Sequence, residues 1–187
     1  DLGITDLAVL SNGTKVQAPK PLKSKLKQLR RLSKQLSRKQ KGSKNREKAK
    51  TKLSRLYYKI SCIRKDFIHK LTTKLVKMYD VICIENLNVK GMVKNRKLSR
   101  AISDLSFYEF KRQLIYKANQ SRKTVKEVDR FYPSSKTCSH CGFVMAKIDL
   151  TLAIRNWQCP SCHTQHDRDI NASLNILNQA DRVLTLS

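Results

Sequence analysis

Two short cysteine pairs constrain this chain more than any other feature. Cys138-Ser-His-Cys141 and Cys159-Pro-Ser-Cys162 stand 17 residues apart, inside the usual spacing for a four-cysteine zinc site. A CxxC turn lets two thiolates reach one metal from a tight knuckle. Tetrahedral zinc held by four such ligands keeps no open position, so the implied role is structural. The residues between the pairs can form a small hairpin, with Trp157 and Phe143 available to pack on it. The competing reading, a redox CxxC, has no need of a second pair at zinc spacing. His140, His163 and His166 lie close by, and with four cysteines present they are expected at the surface or behind the ligands. Cys62 and Cys83 stand alone in apolar patterns. The six together fit a reducing compartment with one metal site and two buried thiols rather than a disulfide framework.

Charge points to the partner. Of a net +26 over 187 residues, residues 20–79 carry +20, with 22 Lys and Arg against two acids, Glu47 and Asp66. A modest excess would mean only a solvated face. An excess this dense repels itself unless a polyanion covers it, and a phosphate backbone is the common answer, with an anionic membrane surface second. No apolar run is long enough to cross a bilayer. No basic-then-apolar leader follows Asp1, so a secretory signal is not expected.

Periodicity divides the chain. Residues 1–17 read as short strands around Asn12-Gly13, a dipeptide suited to a type I′ hairpin turn. Leu22, Leu26, Leu29, Leu32 and Leu36 then form one helical stripe, and Ala49, Leu53, Leu56, Ile60, Ile63, Phe67, Leu71 and Leu75 a second. Two helices joined across Gly42 should pack antiparallel, stripe on stripe, with lysines outward. Residues 80–85 read as a buried strand and 86–100 as a mobile basic loop. Residues 104–119 read as a helix capped by Asp104 or Ser103, and 123–129 as a strand. A last helix is expected over 167–179, capped by Asp167, with Ile170, Leu174 and Leu177 inward. With the helical pair and the cysteine module set aside as insertions, a mixed sheet with helices against it remains. That order matches the ribonuclease H-like plan, and other α/β folds share it.

Three acids sit where a metal-dependent nuclease would use them. Asp1 opens the first strand, Glu85 ends the buried strand, and Asp169 lies in the first turn of the last helix. In a ribonuclease H-like sheet these elements are neighbours, and three carboxylates can converge on a pair of Mg²⁺ ions, which prefer oxygen ligands. Two such ions activate a water and stabilise the leaving oxygen in phosphodiester cleavage. The bland alternatives are a solvated glutamate at a strand end and an aspartate that only complements the helix dipole.

Several motifs, in order across the whole chain, resemble one family. They are Asp1-Leu-Gly-Ile, Ile84-Glu-Asn-Leu-Asn-Val-Lys-Gly91, Arg130-Phe-Tyr-Pro-Ser-Ser-Lys-Thr-Cys138, the two CxxC pairs, and His166-Asp-Arg-Asp-Ile-Asn-Ala172. They resemble the TnpB (OrfB) proteins of insertion sequences, themselves similar to compact type V CRISPR effector nucleases. The resemblance implies an α/β RuvC nuclease domain with an inserted basic helical hairpin and an inserted zinc ribbon. It places RuvC strands at 1–21, the hairpin at 22–79, a RuvC strand-helix-strand at 80–130, the target-nucleic-acid-binding ribbon at 131–166 and the RuvC C-terminal helix at 167–187. Asp1, Glu85 and Asp169 fall at the family's catalytic acids. The implied activity is RNA-guided, Mg²⁺-dependent DNA cutting with structural Zn²⁺, a guide RNA and a DNA target as partners, in a prokaryotic cytoplasm near the nucleoid. The hairpin would lie along the guide or the guide–target heteroduplex, reading backbone shape while base pairing reads sequence. Family members carry a recognition and wedge region ahead of the first acid, so this chain is expected to be the C-terminal nuclease portion of such a protein.

Two other functions compete. A truncated or decayed relative could bind DNA or RNA without cutting, although such a copy has no reason to keep all three acids. A cut-and-paste transposase of the DDE type uses a related fold, but its acids run Asp, Asp, Glu along the chain, whereas here they run Asp, Glu, Asp.

Overall fold

The apolar stripes of residues 22–75 become two long helices, α1 (Pro21–Ser37) and α2 (Lys44–Met78). In this computed structural model, which describes residues 1–146 and 154–184 with side chains as far as Ala180, Leu29 packs against Leu56 and Ile60. Leu22, Leu32 and Leu53 close around them. The stripes therefore meet as the leucine spacing predicts. Gly42 turns the connection with a φ of +81°, a conformation that costs glycine nothing. Arg46 donates from Nη1 to the carbonyls of Leu36 and Lys39, 3.0 Å each, and so satisfies the end of α1. The lysines of both helices are largely exposed.

The chain forms two compact units. One holds Ala18–Lys74 and Val89–Leu114, the other Asp1–Gln17, Leu75–Asn88 and Ile115–Ser187. The helical unit thus takes in residues 89–114, expected to be a basic loop running into a helix. The loop is instead α3 (Val89–Lys94) and α4 (Ser99–Leu105), packed on each other. Val89, Met92, Ile102 and Leu105 recur at helical spacing, and the flanking lysines and arginines obscure that pattern in the sequence. Ser106, at φ +57°, separates α4 from α5 (Phe107–Gln120).

Asp104 is not the cap of the helix that follows it. It lies buried in α4 and accepts the backbone amides of Leu22 (3.0 Å) and Lys23 (2.9 Å) at the start of α1. Lys20, left-handed at φ 43°, makes no side-chain cap there. Asp104 therefore supplies, from a distant part of the chain, the acceptor that an N-cap residue normally provides. Asp104→Ala should cost roughly 2 kcal/mol, since two amides lose a charged, buried acceptor. Asp104→Asn should cost less. Urea unfolding of the three chains checks the order, and an alanine variant as stable as the parent would contradict it.

In the other unit, the start forms β1 (Ala8–Val9) and β2 (Lys15–Val16), paired antiparallel, with Leu2 bridged to Ala8. The turn between them is not type I′. Only Gly13 has positive φ (+83°), Gly13 N–H donates to the Leu10 carbonyl, and Asn12 Oδ1 accepts the Thr14 amide. This is a tight turn closed by a left-handed glycine, an arrangement that needs φ > 0 at one residue instead of two. β3 (Val81–Glu85) runs parallel to β4 (Thr124–Val128), Glu85 opposite Val128. β5 (Asn156–Gln158) pairs antiparallel with β6 (Gln165–Asp167). Among the described residues the strands make three two-stranded ladders in a mixed α/β fold.

Helix α6 (Arg168–Leu184) organises this unit, packing on β1, β3, β4 and β6. Its inward face differs from the expected one. Ile170, Leu174 and Leu177 are half-buried, whereas Asn171, Ala172, Asn175, Ile176 and Ala180 are buried, Ile176 and Ala180 against Val128. Two asparagines occupy the core face because they serve buried carbonyls, as described below.

Candidate functional site

The four cysteines converge. Their sulfurs all lie within 4.8 Å of one another, with Cys138–Cys162 and Cys141–Cys159 each at 3.6 Å. Four sulfurs about 2.3 Å from a zinc ion stand roughly 3.8 Å apart, so the donor set fits that metal closely. Each knuckle is built alike. Cys138 N–H donates to Phe143 O and Gly142 N–H to Cys138 O, while Cys159 N–H donates to Thr164 O and His163 N–H to Cys159 O. In both, the residue after the second cysteine is left-handed, Gly142 at φ +79° and His163 at φ +60°. The hairpin forms around the second pair, as β5 and β6. A hairpin lying wholly between the pairs would include residues 147–153, which fall outside the described residues.

Burial around the sulfurs is uneven. Cys138, Cys159 and Trp157 are buried together, with Met145, Ile154 and Cys162 against them. Phe143 points away and is exposed. Burial pushes the Cys138 thiol up to about 12, whereas the Thr164 hydroxyl, 3.3 Å from Cys162 Sγ, holds that thiol down to about 6. A cation at the centre would favour the thiolate at both. His140 and His163 are exposed. His166 is buried, its Nε2 3.1 Å from Cys138 Sγ and its ring 4.7 Å from that of Trp157. It therefore stands behind a ligand as an orienting neighbour, and burial, then His140, lowers its pKa.

Of the described residues, the three acids form no such cluster. Asp1 pairs through its backbone with Val9 (Val9 N–H to Asp1 O, 2.9 Å). Glu85 ends β3. Asp169 enters from the first turn of α6, where Asp167 caps the helix by accepting the amides of Asp169 and Ile170 at 3.0 Å each. Lys15 ties Asp167 to β2 at 2.7 Å. Burial works against the Asp167 carboxylate, and Lys15 with the two amides outweighs it, so its pKa falls below the ordinary value. Burial lowers the Asp1 amino group, and the negative charges of Glu85 and Asp169 pull it back up. The amino end of Asp1 thus lies in the field of Glu85, at the end of β3, and of Asp169, in α6. The side-chain oxygens of the last two are engaged: Glu85 Oε1 accepts from Ser134 Oγ (3.1 Å), and Asp169 pairs with Arg155 (3.2 Å) and Arg168 (3.8 Å). Among the described residues the cysteines, and not the acids, bring their ligand atoms to one point.

The sequence reading passed over the residues that join the two clusters. Asn171 Nδ2 donates to Thr137 O (2.8 Å), and Asn171 Oδ1 accepts the Ser139 amide (2.9 Å). Asn175 Nδ2 donates to Ser134 O (2.8 Å) and Thr137 O (2.6 Å). One turn apart on α6, the pair clamps the strand of chain that enters the first cysteine knuckle. Two asparagines four residues apart within an otherwise apolar face were the available signal, because a buried amide must find partners.

Residues 1–96 match the OrfB_IS605 family, described as "Probable transposase". The chain belongs to the TnpB (OrfB) family. Residues 107–176, with all four cysteines, match the Cas12f1-like TNB domain. A TnpB relative from Streptomyces pristinaespiralis, provisionally named an RNA-guided DNA endonuclease, is 43% identical over 177 residues, 95% of this chain and 43% of its own. InsQ of Escherichia coli, under the same provisional name, is 35% identical over 199 residues, 98% of this chain and 49% of its own. The chain therefore spans between two fifths and half of these relatives. A solved Cas12f1–sgRNA–target DNA complex shares the fold, with a TM-score of 0.65 at 18% identity, over 95% of this chain and 48% of that one. No described helix is long and apolar enough to cross a membrane.

Proposed function

We propose that this chain is the nuclease portion of a transposon-encoded, RNA-guided DNA endonuclease, with a RuvC-type ribonuclease H-like domain and a zinc ribbon. Asp1, Glu85 and Asp169 would hold Mg²⁺, and Cys138, Cys141, Cys159 and Cys162 would hold structural Zn²⁺. The observation that carries the reading is that helix α6, which bears Asp169, packs on β1 and on β3, the strand that ends at Glu85. The negative charges of Glu85 and Asp169, 84 residues apart in sequence, both reach the Asp1 amino group. Carboxylates held near one another repel unless something positive joins them, and hard divalent cations with phosphate oxygens would fit that need.

The basic helical pair supports the nucleic-acid side of the proposal. Its charge would track the backbone of the guide or of the guide–target heteroduplex, leaving sequence to base pairing. The names of the relatives point the same way. A second reading, binding without cutting, draws on the +20 of residues 20–79, which a nuclease and a pure binder need alike.

One experiment separates them. The protein, loaded with its transposon-derived RNA, is given plasmids that match or mismatch the RNA, with Mg²⁺ or with EDTA. Cutting of the matched plasmid in Mg²⁺ alone is the expected result. Retention of the matched plasmid, intact in Mg²⁺, would favour the binding-only reading.

A further inference from the structure

Ser134 sits at the junction of the two clusters. It is buried, 8% exposed, and both ends of the residue are held. Its hydroxyl donates to Glu85 Oε1 at 3.1 Å. Its carbonyl accepts from Asn175 Nδ2 at 2.8 Å, with Asn171 Nδ2 at 3.5 Å. Asn171 and Asn175 are themselves 1% and 3% exposed and spend their remaining contacts on Thr137 O and the Ser139 amide, on either side of Cys138. A serine with a free backbone could turn its hydroxyl away from a carboxylate. Here α6 fixes the backbone, so one rotamer choice decides where the Glu85 carboxylate points.

We propose that Ser134 is a positioning residue for Glu85. By donating to Oε1 it fixes the rotation of the carboxyl group and leaves Oε2 for a cation. The inference rests on the reading of Glu85 as a cation ligand given above. Hydrogen bonds of this kind raise the order of a ligand before the metal arrives, and their loss typically weakens metal affinity 10- to 100-fold. The same contact ties the acid cluster to the first cysteine knuckle, since the asparagine pair holds Ser134 O and Thr137 O together.

The test reads cation binding directly. The chain, with zinc content measured, is titrated with Mn²⁺ and free Mn²⁺ is followed by electron paramagnetic resonance. Ser134→Ala should raise the Mn²⁺ dissociation constant about tenfold, with zinc content and thermal midpoint close to the parent's, and Ser134→Thr should restore binding. Thr and Val have the same shape, so Ser134→Thr against Ser134→Val isolates the hydroxyl even if bulk at this site lowers stability. Weak binding by the valine chain with near-parent binding by the threonine chain supports the proposal. Equal binding by those two, where Glu85→Ala has lost the ion, overturns it. Mn²⁺ binding unchanged in Glu85→Ala would instead remove the underlying reading of the acids.

Discussion

Glu85→Ala is expected to bind nucleic acid as the parent does and to cut it at least a thousandfold more slowly. The two halves of that expectation have separate physical origins. Binding would draw on the basic stretch of residues 20–79, whose 22 lysines and arginines are untouched, and a phosphate backbone is held by their sum. Cutting, in the function proposed above, would draw on a cation held by Glu85 and its neighbours, which would supply several kcal/mol of charge stabilisation. A thousandfold corresponds to about 4 kcal/mol. Single-turnover cleavage beside fluorescence anisotropy of a labelled target reads both quantities on one preparation. Cleavage within tenfold of the parent would remove Glu85 from the chemistry. Glu85→Gln makes the sharper companion, because it keeps an oxygen for the Ser134 hydroxyl and loses only the charge.

Elements whose chemistry is local were legible in the sequence. CxxC spacing depends on a few adjacent bonds, and the four sulfurs do gather within 4.8 Å. The leucine stripes depend on helix period, and Leu29, Leu56 and Ile60 do meet. Asp167 caps α6 as its position before the helix predicts. What escaped depends on partners far away in the chain. Asp104 looked like a cap for the helix beside it and serves Leu22 and Lys23 instead, a choice no local window contains. Asn171 and Asn175 lie outside the inward set expected from Ile170, Leu174 and Leu177, yet they are buried because Ser134 and Thr137 present carbonyls to them. The hairpin turn escaped for a smaller reason. Asn12-Gly13 permits two left-handed residues, and the pairing of β1 with β2 uses one.

The second large expectation concerns Cys159→Ser. This chain should lose its zinc and, with it, at least a hundredfold in cleavage, although Cys159 touches none of the three acids. A serine oxygen is a hard, poorly ionised substitute for a thiolate, so three sulfurs remain where a closed site needs four. Cys159 is fully buried against Trp157 and Cys138, and without a cation the cluster loses the metal bonds that would draw its sulfurs together. The first knuckle then has no reason to keep the conformation in which Thr137 O and the Ser139 amide meet Asn171. Asn171 lies two residues beyond Asp169 on α6, and the partner amide of Asn175 holds Ser134, whose hydroxyl lies on Glu85. Loss at the metal is therefore expected to reach two of the three acids through these hydrogen bonds, not through the bulk of the fold. Zinc measured by mass spectrometry, helix content by circular dichroism and single-turnover cleavage together test the chain of contacts. Zinc gone, helices kept and cleavage reduced is the expected pattern. A zinc-free Cys159→Ser chain that cuts at the parent's rate would show that the ribbon and the acid cluster act independently.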